Sequence, residues 1–409
     1  MKIAYVVNQF PPNITAGLGR YVELITPYLA REHELTVYTL NDGRQPVDET
    51  VGGIRVYRPR TALTGGRRLN RTRRAEFLLL ALQVVVSNWR YFLRLCRRRE
   101  RPDLVAVHDS TNFLSGLLCH YVLRLPVVFH VHTTEYGVAP QRSITDPLNV
   151  FAALERRLAR ISRRVVVATP EVGDQLRAAG WDRTPIDVVP LGGTFEAVLP
   201  SYGRDTLRAG ARALRERLGL PEGDPVLLFV GRIERQKGVY QLLEAMRAVV
   251  EAVPGLRLLI VGEGDVAGVE RIVASTGLRG RVLASGRFVQ GRELLEHYEL
   301  ADACVFPSLF EPFGLVATEA MAMGRAAVLG DGFSRLFLGS DPDAPAAYFV
   351  RAGEPADIAR GVIAVMTDAA LRRELAERGE RFVRESLSWS RAAAETAEVY
   401  QRAAKTTAR

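Results

Sequence analysis

The chain has 409 residues, of which 47% are hydrophobic and 25% are charged, which fits a globular protein and excludes a disordered or fibrous one. Its length predicts two or three domains. A formal net charge of +9 is compatible with an arginine-rich proteome, a membrane surface or a polyanionic ligand. No nucleic-acid-binding signature accompanies this charge, so no nucleic-acid partner is expected.

The cysteines and the apolar runs indicate the cellular compartment of the protein. Cys96, Cys119 and Cys304 are scattered and form no CxxC motif or Cys/His cluster, so neither a zinc site nor a disulfide framework is expected. Residues Met1–Asn8 predict a strand rather than a signal peptide. The apolar run Phe77–Val86 is far shorter than the roughly 20 residues that a membrane span needs. We therefore expect a cytoplasmic protein, with a peripheral position at the inner face of the membrane as the alternative.

Short Val/Ile/Leu runs alternate with helical patterns along the whole chain. The predicted strands of the first half are Ile3–Val7, Leu35–Leu40, Ile54–Tyr57, Leu104–His108, Val127–His132, Val165–Ala168 and Ile186–Val189. Those of the second half are Val226–Val230, Leu256–Val261, Val282–Ala284, Ala303–Phe306, Ala326–Leu329 and Ala347–Val350. Near-continuous apolar strands that alternate with helices predict parallel sheets covered on both faces.

The segment Leu191–Pro225 interrupts this alternation with glycines and prolines, and the domain boundary is predicted near its start. We expect an N-terminal domain over residues 1–192 and a C-terminal domain over residues 193–389. The last helix, from Ser390 to about Arg402 within the terminal segment 390–409, is expected to pack back on the first domain. The predicted fold class is α/β, with two doubly wound sheets that face each other across a cleft.

Arginines are concentrated between Arg67 and Arg101, on either side of an apolar run. The apolar residues at helical spacing are Phe77, Leu80, Val84, Tyr91 and Leu95. Two interpretations remain open: a core helix with a solvated arginine face, which we favour, and a basic amphipathic helix that lies on an anionic membrane.

Two carboxylates, Glu311 and Glu319, stand eight positions apart across a Pro-Phe-Gly break. A buried-strand pattern precedes them, and a helical pattern runs from Leu315 to Met323. The start of a helix has free N–H groups and a partial positive charge, which suit an anion or sugar hydroxyls. This unit therefore predicts a site for a ligand that carries both phosphate and several hydroxyl groups.

A glycine-bounded turn with Arg232 and Lys237 lies between the strand Val226–Val230 and a helix that begins near Val239. Two cations five positions apart at a helix start can converge on a diphosphate through charge-assisted hydrogen bonds. The spacing is not that of a Walker A loop. Taken alone, the turn is also compatible with a solvated basic loop.

Two patterns in the first half follow predicted strands. Gly17 and Gly19 open the first helix, where glycine lets the backbone approach a phosphate, although a plain strand–helix turn is the simpler interpretation. His130 and His132 end a buried strand. We expect strand alternation to send these two side chains to opposite faces, so that one of them reaches the ligand cleft.

Together these residues resemble the retaining glycosyltransferases of family 4, which have the GT-B fold, over nearly the whole chain. Glu311–Glu319, which reads EPFGLVATE, is similar to the family's E-x7-E motif. Residues 231–238, which read GRIERQKG, are similar to its GR…KG element. Pro102–His108 and Arg31–Val37 resemble its PDxVHxH and GHEVTV segments.

The resemblance implies a hexosyltransferase that uses a nucleotide diphosphate sugar, retains the anomeric configuration and needs no metal or other cofactor. The first domain would bind the acceptor, which is a sugar, a lipid or a small molecule, and the second would bind the donor. A UDP-sugar is the preferred donor. GDP-mannose, with a lipid-linked or anionic acceptor at the membrane surface, is the alternative. A non-catalytic sugar-nucleotide-binding protein is less favoured, because the acidic pair and the basic pair are intact. An NAD-dependent dehydrogenase is also less favoured, because no full GxGxxG motif is present.

The same resemblance assigns roles to individual residues. Arg232 and Lys237 would hold the diphosphate, Glu311 the donor sugar, and Glu319 the ribose. His132 would lie beside the reacting centre, and it is preferred to His130 because Thr133 follows it. The catalytic candidates are therefore His132, Arg232, Lys237 and Glu311. The donor-binding candidates are Gly17, Gly19, Arg232, Lys237, Glu311, Phe313, Gly314, Leu315 and Glu319.

The chain departs from the family's pattern at three places. Ala16 replaces the first glycine of the usual GGxG loop, and Gly330–Arg335 stands where GGxxE is common. Gly193 and Thr194 stand where a hydrophobic-Asp pair is common. These differences are compatible with an unusual acceptor or donor, and equally with sequence drift.

Overall fold

The computed structural model describes residues 1–14, 17–61, 73–133, 150–196, 199–339, 341 and 343–405; the side chains of residues 73–78, 80, 150 and 151 are outside this description. The chain divides into two units. The first consists of Met1–Leu191 and Trp389–Arg409, and the second of Gly192–Ser388.

The first unit is built on an eight-stranded sheet. Its strands are β1 (Lys2–Val6), β2 (Glu34–Tyr38), β3 (Asp48–Val51), β4 (Ile54–Tyr57), β5 (Leu104–His108), β6 (Val127–Val131), β7 (Arg164–Val167) and β8 (Ile186–Val188). The spatial order is β3-β4-β2-β1-β5-β6-β7-β8, and neighbouring strands are parallel except for the antiparallel pair β3 and β4. Its described helices are α1 (Gly17–Leu29), α2 (Arg73–Leu95), α3 (Phe113–Tyr121), α4 (Val150–Ile161), α5 (Pro170–Ala178) and the C-terminal α13 (Trp389–Lys405).

The second unit is built on a six-stranded parallel sheet with the order β11-β10-β9-β12-β13-β14. Its strands are β9 (Val226–Val230), β10 (Arg257–Val261), β11 (Val282–Ala284), β12 (Ala303–Phe306), β13 (Ala326–Gly330) and β14 (Tyr348–Val350). Its helices are α6 (Arg204–Arg217), α7 (Val239–Ala252), α8 (Val266–Ser275), α9 (Gly291–Leu300), α10 (Leu315–Ala322), α11 (Pro355–Thr367) and α12 (Ala369–Ser386).

Burial on both faces explains why the central strands are apolar without alternation. Leu227 and Leu228 of β9 point to opposite faces of the sheet, and both are fully buried. Each such side chain contributes about 1.5–3 kcal/mol relative to an exposed one. The amphipathic helix α7 supplies part of the cover, with Val239, Leu242 and Met246 buried. The sequence predicts every strand of both sheets to within about two residues, except β3.

Each sheet has one point at which the chain reverses its direction of winding. In the first unit this point lies between β1 and β5, and in the second between β9 and β12. Ligands of doubly wound sheets bind outside the carboxyl ends of the strands at such a point. The loops that carry the predicted site residues follow these strands or, for His132, the neighbouring strand β6.

The predicted boundary segment and the C-terminal segment each contain a helix. The stretch predicted to contain the domain boundary includes α6, which packs on α9 within the second unit. The C-terminal helix α13 packs on α1 in the first unit. There the Tyr400 hydroxyl lies 2.8 Å from Nε2 of His130, and Trp389 is fully buried.

The arginine-flanked helix α2 uses one face in the core. Val84, Tyr91 and Leu95 are buried, as the core-helix interpretation predicts. Arg67, Arg68 and Arg71 lie outside the described residues, as do the side chains of Phe77 and Leu80. Among the described helices, none combines the length and the apolar character that a membrane-crossing segment requires.

Candidate active site

The fold brings the basic turn and the acidic motif of the second unit together. The turn after β9 passes through a short 3-10 helix, Arg235–Lys237, and ends at Gly238, where φ is +69°. A Cβ on Gly238 would overlap the carbonyl oxygen of Pro307, which follows β12. Glycine is therefore required for both the left-handed backbone and the close approach of the two loops.

Lys237 and Glu311 form an ion pair at this edge of the sheet. The distance from Lys237 Nζ to Glu311 Oε2 is 2.7 Å, and most of both side chains is buried. Backbone hydrogen bonds hold the acidic loop on either side. Leu309 N–H donates to Gln236 O at 2.9 Å, and Glu311 N–H donates to Gly332 O at 3.0 Å. The two motifs, 74 positions apart in sequence, thus meet in one site.

Gly314 positions the start of α10 beside this pair. It has φ +98°, and a Cβ there would overlap the ring of Phe333. Leu315 begins the helix, so its N–H is one of the amides that have no partner within the helix and can bind an anion. The side chain of Phe313 is buried, and its ring centroid lies 5.7 Å from that of Phe337. This packing anchors the loop.

Glu319 lies further along α10 and is buried. The Tyr298 hydroxyl donates a hydrogen bond to its Oε2 at 2.8 Å. Burial, and then the charge of Glu319, raise the pKa of Tyr298, so this hydroxyl keeps its proton. Tyr298 therefore fixes the orientation of the Glu319 carboxylate.

Arg232 forms an ion pair with a different carboxylate. Its guanidinium is 2.9 Å from Glu234 Oε1, and 65% of its side chain is exposed. The structure therefore joins only Lys237 of the basic turn to Glu311. The long, exposed side chain of Arg232 leaves its guanidinium accessible to a ligand.

Three histidines cluster at the carboxyl edge of the first sheet. His108 and His130 are partners in the register of β5 and β6, and their rings stack with centroids 4.3 Å apart. His132 lies just beyond β6, with its Nε2 2.9 Å from Nδ1 of His108. The expectation that His130 and His132 point to opposite faces is wrong, because residues two apart along a strand share a face.

Burial controls the charge of this histidine cluster. His108 and His130 are buried, whereas His132 is partly exposed. Burial lowers the pKa of all three, and that of His132 to about 3, so they are neutral at pH 7. Burial also raises the pKa of the adjacent Asp109 to about 7, and a hydrogen bond from the His132 backbone partly opposes this shift.

Two of the three imidazoles in this cluster are joined by a hydrogen bond. One ring nitrogen from each lies within 4.8 Å of the others, which is close enough to test for a metal. His108 and His132 have ring planes 21° apart and meet nitrogen to nitrogen at 2.9 Å. Zinc binds each nitrogen at about 2.0–2.1 Å in a tetrahedral site, which puts roughly 3.3 Å between two ligand nitrogens. The third histidine, His130, has its Nε2 beside the Tyr400 hydroxyl.

The glycines predicted to contact phosphate lie in the first turn of α1. Gly17 is exposed and begins the helix, and Gly19 is buried. A Cβ on Gly19 would lie 2.8 Å from Oε1 of Gln9, so the helix start packs closely on the loop after β1. Ala16, the first residue of the departing GGxG pattern, lies outside the described residues.

Five neighbours of the predicted residues were not among the sequence candidates: Tyr21, His108, Asp109, Tyr298 and Tyr400. Tyr21 of α1 has its ring centroid 4.6 Å from that of His132. One signal was available for His108, because it ends a predicted strand and parallel strands end at the same edge of a sheet. No sequence signal identifies Tyr21 or Tyr298, since their positions depend on helix packing.

Two family models match this chain. The model of the family "Glycosyl transferases group 1" matches residues 211–382, and that of the "Glycosyl transferase 4-like domain" matches residues 16–192. An uncharacterized glycosyltransferase of Methanocaldococcus jannaschii is 28% identical over 98% of each chain. A D-inositol 3-phosphate glycosyltransferase of Xylanimonas cellulosilytica is 32% identical over 74% of this chain and 72% of its own.

Solved structures share the fold over almost the whole chain. A sucrose-phosphate synthase from Thermosynechococcus elongatus aligns with a TM-score of 0.78 and 23% identity, over 98% of each chain. Anabaena HepE in complex with UDP and glucose aligns with a TM-score of 0.69 and 16% identity, over 98% of this chain and all of its own. These likenesses confirm the predicted GT-B fold. Together with the family matches, they lead to one conclusion: the chain belongs to the group 1 glycosyltransferases of family 4, as its motifs predict, and is a glycosyltransferase.

Proposed function

We propose that this glycosyltransferase moves a hexosyl unit from a nucleotide diphosphate sugar, with a UDP-sugar as the preferred donor, to an acceptor hydroxyl, with retention and without a metal. The observation that carries the proposal is the ion pair of Lys237 and Glu311. It lies where the chain reverses between β9 and β12, beside the first turn of α10.

Lys237 is suited to stabilise the departing diphosphate. When the bond from the anomeric carbon to the diphosphate breaks, negative charge grows on the phosphate oxygens, and a positioned cation stabilises that charge. Glu311 holds Lys237 in place before the donor binds, since their charged atoms are 2.7 Å apart. A hydrogen bond to a charged group contributes about 1.5–3 kcal/mol, and the exposed Arg232 would add a second cation.

Glu311 and Glu319 are suited to different hydroxyl groups. Glu311 lies in the loop before α10 and would accept hydrogen bonds from the transferred sugar. Glu319 is deeper, oriented by Tyr298, and would hold the ribose. The backbone N–H groups of Phe313, Gly314 and Leu315 would complete the contacts to sugar and phosphate.

His132 would contribute a neutral hydrogen-bonding group near the anomeric carbon. Burial lowers the pKa of His132 to about 3, so its imidazole is neutral at pH 7. Of the two candidate histidines it is the one with partial exposure, whereas His130 is buried against Tyr400. The glycines Gly17 and Gly19 would give the donor phosphates room at the start of α1.

Ligands of structurally similar proteins define the donors to compare. HepE was solved with UDP and glucose, and starch synthase IV from Arabidopsis thaliana with ADP and acarbose. GDP-mannose is the remaining alternative for this chain. Thermal-shift measurements with UDP, GDP, ADP and their sugars rank the nucleotides, because a ligand at 100 times its Kd stabilises the protein by about 2.7 kcal/mol.

A transfer assay then tests the reaction itself. We expect donor-dependent release of the nucleoside diphosphate, a product with the donor's anomeric configuration by NMR, and full activity in the presence of EDTA. Lys237→Ala should keep the fold and lose about 100-fold in rate, the size typical of a removed oxyanion-stabilising group. Nucleotide binding without any release from a donor would favour the non-catalytic alternative. Wild-type rates in Lys237→Ala would contradict the assignment.

A further inference from the structure

Helix α2 carries a second apolar face that points away from the core. Leu82, Val85, Trp89 and Leu93 are 51%, 44%, 48% and 49% exposed, and we call these four residues the apolar stripe. Their spacing of three to four residues places them on one side of the helix. Val84, Tyr91 and Leu95, the apolar residues on which both interpretations of this helix rested, are buried and belong to the core face. The helix is therefore apolar on two sides.

Among the described residues, most of the large apolar side chains that are exposed lie on α2 or at the end of α3. Tyr121 and Val122, at the end of the adjacent α3, are 53% and 59% exposed. Helices α2 and α3 pack against each other. Among the described residues, two other large apolar side chains are exposed to a similar extent. They are Phe288 and Leu309, at separate positions in the second unit. Clustered exposure of this kind marks an interaction surface, whereas scattered exposure does not.

The segment that carries the stripe is strongly positive. Between Glu76 and Glu100 the sequence contains no acidic residue. Arg97, Arg98 and Arg99 follow the helix, are exposed, and form no ion pair within the described residues. Segment 67–101 holds eleven arginines and two glutamates, so it alone matches the formal +9 of the whole chain.

Apolar side chains beside exposed arginines suit an anionic lipid surface. The apolar residues enter the interfacial region while the arginines contact lipid phosphates, and tryptophan favours this depth. The helix would lie in the plane of the membrane, because its other side is occupied by the core and no described helix is fit to cross a bilayer. A second copy of the chain is a poorer occupant, since it would bring two such positive segments together.

We propose that the apolar stripe and Arg97–Arg99 form a peripheral docking surface for anionic lipid bilayers. The surface belongs to the first unit and uses none of the residues assigned to the donor. Its function is therefore separable from catalysis.

Trp89 provides a direct spectroscopic test. The chain has three tryptophans, and Trp181 and Trp389 are 4% and 0% exposed. Vesicles of phosphatidylcholine and phosphatidylglycerol should shift the emission of the full chain to shorter wavelength and protect it from acrylamide, whereas pure phosphatidylcholine should not. The variant Trp89→Phe should still float with anionic vesicles but lose both optical changes. Unchanged wild-type emission with anionic vesicles would overturn the proposal.

Flotation of variants separates the apolar and the charged contributions. Leu82→Ser with Leu93→Ser should reduce binding to anionic vesicles at least about tenfold, because two inserted apolar groups are lost. Arg97, Arg98 and Arg99 changed together to Glu should abolish it. Matched controls replace exposed residues elsewhere: Phe288→Ser, and Arg212, Arg373 and Arg381 changed together to Glu. Both controls should bind like wild type, and circular dichroism should show every variant folded.

Three further results, from flotation and light scattering, would also overturn the proposal. The wild-type protein could fail to float with anionic vesicles at low salt. The stripe variant and the arginine variant could float as well as their matched controls. A wild-type dimer in light scattering that dissociates in the stripe variant, without lipid binding, would assign the stripe to a second copy of the chain.

Discussion

The ion pair of Lys237 and Glu311 couples two side chains that the proposed reaction uses differently. Glu311 is to bind the sugar, and Lys237 the diphosphate. In the structure the carboxylate also neutralises the ammonium at 2.7 Å. Removal of the carboxylate charge therefore has two opposite effects: it deletes a sugar contact, and it frees a cation for phosphate.

We predict that Glu311→Gln separates these effects. Transfer should fall by about 10- to 150-fold, because the lost hydrogen bond to a charged group corresponds to about 1.5–3 kcal/mol. Binding of the free nucleoside diphosphate, measured by calorimetric titration, should be unchanged or tighter, since Lys237 no longer has a competing anion.

A matched control is available in the same unit. Glu299 forms a comparable, partly buried pair with Arg325, with the charged atoms 2.6 Å apart, outside the site. Glu299→Gln should change neither transfer nor nucleotide affinity. Weaker binding of the diphosphate in Glu311→Gln would show that Glu311 supports the phosphate site, contrary to its assignment to the sugar.

His132 links the buried stack to stability in acid. Its pKa is about 3 in the folded protein and about 6.5 in an unfolded chain. Below pH 6.5 the unfolded chain takes up a proton that the folded protein does not, so stability falls as pH is lowered toward 3. Asp109 acts in the opposite direction: its raised pKa of about 7 means that stability falls as pH rises from about 4 to 7.

We predict that His132→Asn weakens the acid sensitivity. Between pH 7 and pH 5 the free energy of unfolding should decrease by about 2 kcal/mol less in the variant than in the wild type, as one suppressed protonation over 1.5 pH units implies. Urea unfolding at pH 5, 7 and 9 measures this difference. The interval from pH 7 to 9 is the internal control, because His132 does not titrate there. An equal loss in both proteins between pH 7 and 5 would contradict the low pKa.

At the scale of elements, apolar strands were the most predictable feature. Strands such as β9 and β12 are buried on both faces, so their Val/Ile/Leu runs are unambiguous. Strand β3, Asp48–Val51, was missed because it is polar and partly exposed at the sheet edge. Gly52 and Gly53, which join it to β4 in an antiparallel hairpin, were the available signal.

Contacts within the site were less predictable than the elements that carry them. The motifs indicate that residues 231–238 and Glu311 follow strands, but only the strand order β9-β12 brings Lys237 to Glu311. The stack of His108, His130 and His132 likewise depends on the adjacency of β5 and β6. A single sequence shows strands but not their neighbours, so such pairs follow from the fold.

The turn into α10 yields a prediction at this scale. Gly314→Ala adds a Cβ at φ +98° that would overlap Phe333 and lie 3.0 Å from Cγ of Glu311. Left-handed backbone strain should lower the free energy of unfolding by about 1–2 kcal/mol. The steric overlap should lower it by about a further 1–3 kcal/mol. Nucleotide affinity should also fall, because the loop with Glu311 and the start of α10 must move.

Gly277→Ala isolates the backbone contribution. Gly277 has φ +75°, and a Cβ added there would have no neighbour within 4 Å, so only the strain applies. Its unfolding free energy should fall by about 1–2 kcal/mol, with unchanged nucleotide affinity. Equal effects of the two substitutions on both measurements would show that the packing of Gly314 on Phe333 has no role in the site.

At the scale of the whole molecule, each unit has its own sheet, its own core and its own point at which the chain reverses its direction of winding. The first unit is closed by α13, which returns from the end of the chain to pack on α1. The second unit, Gly192–Ser388, contains all of Arg232, Lys237, Glu311 and Glu319. A nucleotide without a sugar therefore has its proposed contacts in the second unit, apart from those at Gly17 and Gly19.

This division predicts how the nucleotide changes thermal unfolding. Proteins with more than one domain need not unfold in a single transition. In scanning calorimetry, UDP at 100 times its Kd should raise the transition of the second unit by about 5–10 °C, since about 2.7 kcal/mol is added to a unit of roughly 200 residues. Lys237→Ala should remove most of this shift. His132→Asn should retain it, because His132 lies in the first unit. A shift confined to the first unit would place the nucleotide site there and overturn the proposed division of labour.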